Sequence, residues 1–152
     1  MKKNTLKNLM KEHSSSLSES KMTQEIIENL INTSKDIQVL EKEKGHILFK
    51  YLGTKMALLS DENYNRMRII SPITKYSSLA TKIKDSLMDS NFHLALDARY
   101  AVSEDILYAA FLHPLSSLVT EDFESALKQV YNLAISFGKT YSSAQIEFTK
   151  KK

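Results

Sequence analysis

The stretch Asn91–Ser143, NFHLALDARYAVSEDILYAAFLHPLSSLVTEDFESALKQVYNLAISFGKTYSS, decides the fold, because it reads as two adjacent strands followed by a helix. In Phe92–Val102 the even positions Phe92, Leu94, Leu96, Ala98 and Tyr100 share one face, and His93, Ala95, Asp97, Arg99 and Ala101 share the other. Ser103, Glu104 and Asp105 form the turn into a second strand, Asp105–Leu112, whose nearly continuous apolar run suits a strand covered on most of its surface. Pro114 stops that strand. Thr120 stands where a helix cap belongs, Glu121 and Asp122 complement the helix dipole, and Phe123, Leu127, Val130, Ala134 and Phe137 give an apolar face that lasts until Gly138. A glycine there suits the left-handed position after a helix end.

Working upstream, Ile26, Ile27, Leu30 and Ile31 form a helical stripe behind a capping Thr23, predicting a helix over about Thr23–Lys35. The next segment is punctuated by Gly45, Gly53 and the Ser60–Asn63 group, the marks of hairpins. It predicts strands at about His46–Leu52, Thr54–Ser60 and Asn65–Ile70, with Pro72 ending the third; Ile37 and Val39 admit a further short edge strand before Gly45. Leu79, Ile83 and Leu87 at i+4 spacing, with Ser77 or Ser78 as cap, predict a second helix over about Ser78–Asp89. The order is α-β-β-β-α-β-β-α. It predicts an α+β two-layer sandwich in which helices cover one face of a mainly antiparallel, five-stranded sheet.

A chain of 152 residues can bury one core without staples, so a single domain over 23–148 is expected, preceded by a weakly ordered basic arm over 1–22. There is no Cys, which removes disulfides, thiolate metal sites and a Cys nucleophile, and points to a reducing, cytoplasmic location. The first twenty residues lack the apolar run of a secretion signal, and no stretch approaches the roughly 20 apolar residues of a membrane span, so no membrane partner is expected. The net charge of +3 draws on Lys2, Lys3, Lys7 and Lys11 at one end and Lys150–Lys152 at the other. Nucleic-acid binders carry their basic stripe inside the folded part, so nucleic acid is not an expected partner either.

No catalytic kit is visible. The Ser residues fall in polar turns outside any Gly-x-Ser-x-Gly elbow, and three Gly residues supply neither a phosphate loop nor a dinucleotide fingerprint. His93 and His113 sit on predicted neighbouring strands, but zinc needs a third ligand and only Asp97 is near, so no metal and no cofactor are expected. The polar row of the fourth strand, together with Arg66 and Arg68 on the third, predicts a constellation of Arg66, Arg68, His93, Asp97 and Arg99 on the open side of the sheet. This is a candidate platform for a ligand or partner. Tyr108, Phe111 and Leu112 carry more apolar surface than short helices readily cover, which makes them candidates for a homodimer interface.

The segments RMRIISPI (66–73), NFHLALDARYAV (91–102), LYAAFLHPLSSL (107–118) and QVYNLAISFGKTYSS (129–143) resemble the bacterial YbjN-type proteins, grouped with the type III secretion chaperone-like fold. The resemblance covers about Thr23–Ser143. It implies an α+β module that binds a protein or peptide, often as a homodimer, without catalysis. Two functions are therefore carried forward: a non-enzymatic module that holds a protein segment by strand addition or in a hydrophobic groove, and a sensor that binds a small anionic ligand through Arg66, Arg68 and Arg99.

Overall fold

A computed structural model describes residues 21–143; most of the arm expected before Thr23, and the end of the chain from 144, lie outside the described residues. Helix α1 is Gln24–Thr33, opened by Thr23, whose hydroxyl accepts the Ile26 N–H at 3.2 Å. Its Ile27 and Ile31 are fully buried, while Ile26 lies to the side and is exposed. Four strands follow: β1 (Ile37–Glu43), β2 (His46–Tyr51), β3 (Thr54–Asp61) and β4 (Arg66–Lys75). Helix α2 (Thr81–His93) then leads to β5 (Arg99–Ser103), β6 (Ile106–Pro114) and helix α3 (Thr120–Ser136).

The six strands form one antiparallel sheet in the order β1-β2-β3-β4-β6-β5. The edge segment at Ile37 and Val39 is thus a full seven-residue strand, which gives six strands where five were expected. Two-residue turns set the hairpin registers. Leu52 and Gly53 both adopt positive φ, as do Glu104 and Asp105, the geometry whose twist matches that of paired strands.

One face of the sheet carries Ile47, Phe49, Met56, Leu58, Met67 and Ile69, all buried. Against it pack Ile27 and Ile31 of α1, Leu87 of α2, and Phe123, Leu127 and Val130 of α3, in a single apolar cluster. Tyr100 joins this core, and its phenol donates to the Leu133 carbonyl at 2.7 Å, tying β5 to α3. The two-layer sandwich follows. Gly138, at φ +79°, takes the left-handed position just beyond α3.

Several boundaries differ from the sequence expectation, each for a physical reason. Strand β4 runs past Pro72 to Lys75 with a bulge between Pro72 and Thr74; beyond Ile70 it pairs only with β6, and a proline is tolerated on a locally unpaired edge. Ser77 and Ser78 do not cap α2. They belong to a short 3-10 turn, where Ser77 gives its hydroxyl to Asp105 Oδ2 at 2.7 Å and its N–H to Oδ1 at 2.9 Å, tying this turn to the β5–β6 hairpin. These bonds from Ser77 hold the Asp105 carboxyl below its ordinary pKa. Thr120 is the first residue of α3 and Val119 occupies the cap position.

The largest correction concerns the expected strand Phe92–Val102. Phe92 and His93 end helix α2, residues 94–98 form a loop, and only Arg99–Ser103 is strand. Leu94 and Leu96, expected on one strand face with Tyr100, consequently stand exposed while Tyr100 is buried. The loop is held by Gln129, a buried side chain of α3 whose Oε1 accepts the N–H groups of Asp97 and Ala98 at 2.9 and 3.0 Å. Backbone donors satisfied in this way need no strand partner.

Candidate functional site

The two edges of the sheet are treated differently by the sequence. In an antiparallel ladder alternate residues turn their N–H and C=O away from the partner strand. On β5 the two-residue turn makes Ser103 and Ile106 a bonded pair, so Tyr100 and Val102 point outward. Asn91, on the last turn of α2, donates its amide to the Tyr100 carbonyl at 3.1 Å and accepts the Tyr100 N–H at 2.8 Å. One side chain thereby imitates the backbone of an added strand at one of the two outward positions of a five-residue edge, leaving Val102 as the other.

Among the described residues the opposite edge has no such cover. The Leu52 N–H donates to the Asp36 carbonyl at 3.0 Å, which fixes the phase of the β1–β2 ladder and turns Ile37 and Val39 outward. Past the bulge between Val39 and Glu41, Lys42 is the outward residue. Among the described residues, nothing bonds to the outer backbone groups of Ile37, Val39 or Lys42. Six of the seven β1 residues are exposed.

The second surface is the sheet face that no described helix covers, called the uncovered face below. Cross-strand partners share a face, so the registers place Leu48, Ala57, Ile70, Ala110 and Arg99 in one row across five strands, and His46, Leu59, Arg68 and Leu112 in the next. Arg66 follows at the end of β4, paired across with Asp61 and Pro114. Tyr108 lies on the same face beside Pro72 and Ala101. The face therefore has an apolar middle, with Leu112 57% exposed, and a cationic rim.

The structure brings together part of the predicted constellation. Arg66, Arg68 and Arg99 share the uncovered face, as expected. His93 lies on helix α2, beside Asp89 at 3.8 Å and against the Phe92 ring. Asp97 faces α3, where its Oδ2 accepts from Gln129 Nε2 at 3.1 Å. Arg99 is folded back onto its own chain, its Nη1 donating to the carbonyls of Leu96 and Ala98 at 2.7 and 2.9 Å. No described residue forms an ion pair with any of the three Arg side chains. Of the predicted dimer residues, Tyr108 and Leu112 are on the uncovered face, while Phe111 is buried beneath the helix layer, stacked parallel to the His113 ring. Among the described residues no group of His, Asp and Glu is arranged to hold a metal, and no helix is long and apolar enough to cross a membrane.

An open cleft of about 280 Å³ separates α3 from the end of β6, lined by Asp97, Leu112, His113, Asp122, Ser125 and Gln129 among others. Gln129 spends all four of its hydrogen-bonding sites on the Asp97 and Ala98 N–H groups, Asp97 Oδ2 and Ser125 Oγ, so it is structural. Sequence reasoning missed Asn91 and Gln129. Both are amides at helix positions where periodicity predicts nothing about a partner distant along the chain.

The architecture, an antiparallel sheet with three helices on one face, has counterparts among solved structures. A chain of the HopA1–SchA chaperone–effector complex superposes with a TM-score of 0.55 at 8% identity, covering 75% of this chain and 88% of that one. A chain of the ExsC–ExsE complex is similar at a TM-score of 0.43 and 16% identity, over 66% of this chain and 73% of the other. No known family profile matches the sequence, and no curated protein does. The first likeness shows a shared fold and nothing finer.

Proposed function

We propose that this protein is a non-enzymatic, chaperone-like module that takes up an extended segment of a protein partner as an added strand on the outer edge of β1. The observation that carries this is the asymmetry of the sheet: Asn91 occupies the Tyr100 position of the short β5 edge and leaves only Val102 outward, whereas the longer β1 presents the backbone groups of Ile37, Val39 and Lys42 with no described partner. Strand addition draws affinity from such backbone groups and specificity from alternate side-chain positions. The fold shared with a chain of a chaperone–effector complex supports a protein partner, and the segments quoted above support membership of the YbjN-type family. A cytoplasmic location belongs to the same reading.

Self-association into a two-fold dimer is part of this proposal. Its support lies on α2, where Met88 and Phe92, one turn apart, are 70% and 84% exposed. The anion-sensor reading has less in its favour, because the three Arg side chains lie on an open surface and Arg99 is engaged with its own backbone.

The test uses the tagged full chain and a partner recovered from its native cell. Ile37→Pro removes an outward N–H at the first residue of β1, where a proline is tolerated, without removing a β1–β2 hydrogen bond. The partner should be lost while the melting temperature stays within a few degrees. Retention of the partner by both Ile37→Pro and Val39→Pro would refute strand addition at β1.

A further inference from the structure

We propose that the uncovered sheet face is a second docking surface, separate from the β1 edge, and that it takes an amphipathic helix whose apolar stripe is flanked by Asp and Glu. The backbone of this face is already paired across six strands, so an occupant finds no free donors or acceptors in its middle and must satisfy its own backbone, as a helix does. The centre is apolar: Leu48, Leu59, Ile70, Tyr108 and Leu112 stand around the small, buried side chains of Ala57 and Ala110.

Charge selects the kind of helix. Among the described strand residues, Lys50, Lys55, Arg66, Arg68, Lys75 and Arg99 share this face with three carboxylates, Glu41, Glu43 and Asp61. Arg68, at the centre of its row, has no side-chain hydrogen bond or ion pair among the described residues. A second copy of the chain would bring the same positive face and repel. The chain's own ends are no better suited: residues 1–20 set Lys2, Lys3, Lys7 and Lys11 against Glu12 and Glu19, and residues 144–152 set Lys150–Lys152 against Glu147. Each is net positive. The complement is therefore an acidic helix from another protein, with the cationic rim steering its approach and fixing its orientation. A nucleic acid would match the charge but not the exposed Leu112 and the half-buried Leu48 and Leu59 in the middle.

The experiment uses the full chain and a labelled helical peptide of about eighteen residues, long enough for five turns, with Leu along one stripe and Glu on both flanks. Controls are the same peptide with Lys for Glu and a single-stranded oligonucleotide. Fluorescence anisotropy should show binding of the acidic peptide only, weakened about tenfold by Arg68→Glu, weakened by Leu112→Ser, and reduced by added salt. Methyl resonances of Leu48, Leu59, Ile70 and Leu112 in the unsubstituted chain should shift on titration, a readout that does not depend on any variant folding. Absence of binding, equal binding of the Lys peptide, oligonucleotide shifts at the same methyls, or shifts confined to β1 would each overturn the proposal. Because Ile37→Pro should leave peptide binding intact, failure here is distinguishable from failure of strand addition.

Discussion

Replacing Gln129 by Leu should destabilise the domain by about 2–4 kcal/mol, through hydrogen bonds and not through volume. Leu is close in size and apolar, so packing against α3's neighbours changes little. What disappears is the acceptor for two backbone N–H groups, those of Asp97 and Ala98, at 2.9 and 3.0 Å. Ala98 is fully buried and water cannot replace the lost partner; an orphaned buried donor costs about 1–3 kcal/mol. The part-exposed Asp97 N–H and the two lost Nε2 bonds, to Asp97 Oδ2 and Ser125 Oγ, bring the sum to the stated range. Urea unfolding of the full chain gives the number directly, with an unchanged m-value showing that the native state is otherwise the same. Gln129→Glu sharpens the test: it keeps an acceptor for both N–H groups but sets a carboxylate against Asp97, so its defect should grow as pH rises through the carboxylate range. A Gln129→Leu chain as stable as the parent would mean that residues 94–98 are held by something other than this amide.

Asn91→Ala removes both bonds to Tyr100 and should cost about 1–3 kcal/mol, and by opening the β5 edge it should also raise concentration-dependent light scattering; no change in either would show that the amide does not guard that edge. Gly45→Ala should be more damaging than Gly53→Ala: both sites have positive φ, which costs a side chain about 1–2 kcal/mol, but a Cβ at Gly45 would meet the Ser60 carbonyl oxygen at 2.8 Å, whereas nothing lies within 4 Å of one at Gly53. Equal melting temperatures for the two variants would contradict this. Burial pushes the Tyr100 phenol from an ordinary 10.0 up to about 12, so its contribution is complete below pH 10 and is lost as pH rises towards 12. Denaturant midpoints should fall across that window and fall less steeply in Tyr100→Phe; identical alkaline limbs would count against a buried neutral phenol.

The fold was readable where local and global signals agreed. Gly45, Gly53 and the Glu104–Asp105 turn marked the hairpins, and the stripes on α1 and α3 marked the faces that bury Ile27, Ile31, Phe123 and Val130. The misreading at Phe92–Val102 arose because Phe92, Leu94 and Leu96 alternate as a strand does, while the deciding partner, Gln129, lies 32 residues from Asp97 in the chain. Strand parity cannot register a loop held by a helix side chain. The same limit applied to the candidate site. Alternation correctly placed Arg66, Arg68 and Arg99 on one face, because those residues lie within true strands. It misplaced His93, which belongs to a helix, and Asp97, which belongs to the loop. It also could not show that β1 is the more open edge, since that comparison depends on what Asn91 does at Tyr100 on the other side of the sheet.

The most direct test of strand addition is amide hydrogen exchange of the full chain, alone and bound to the recovered partner segment. In the free chain the outward amides of Ile37, Val39 and Lys42 should exchange quickly, and the Tyr100 amide, held by Asn91, slowly. On binding, the three β1 amides should slow together while Tyr100 stays as it was. Protection that appears at Val102 or elsewhere with the β1 amides unchanged would contradict the account.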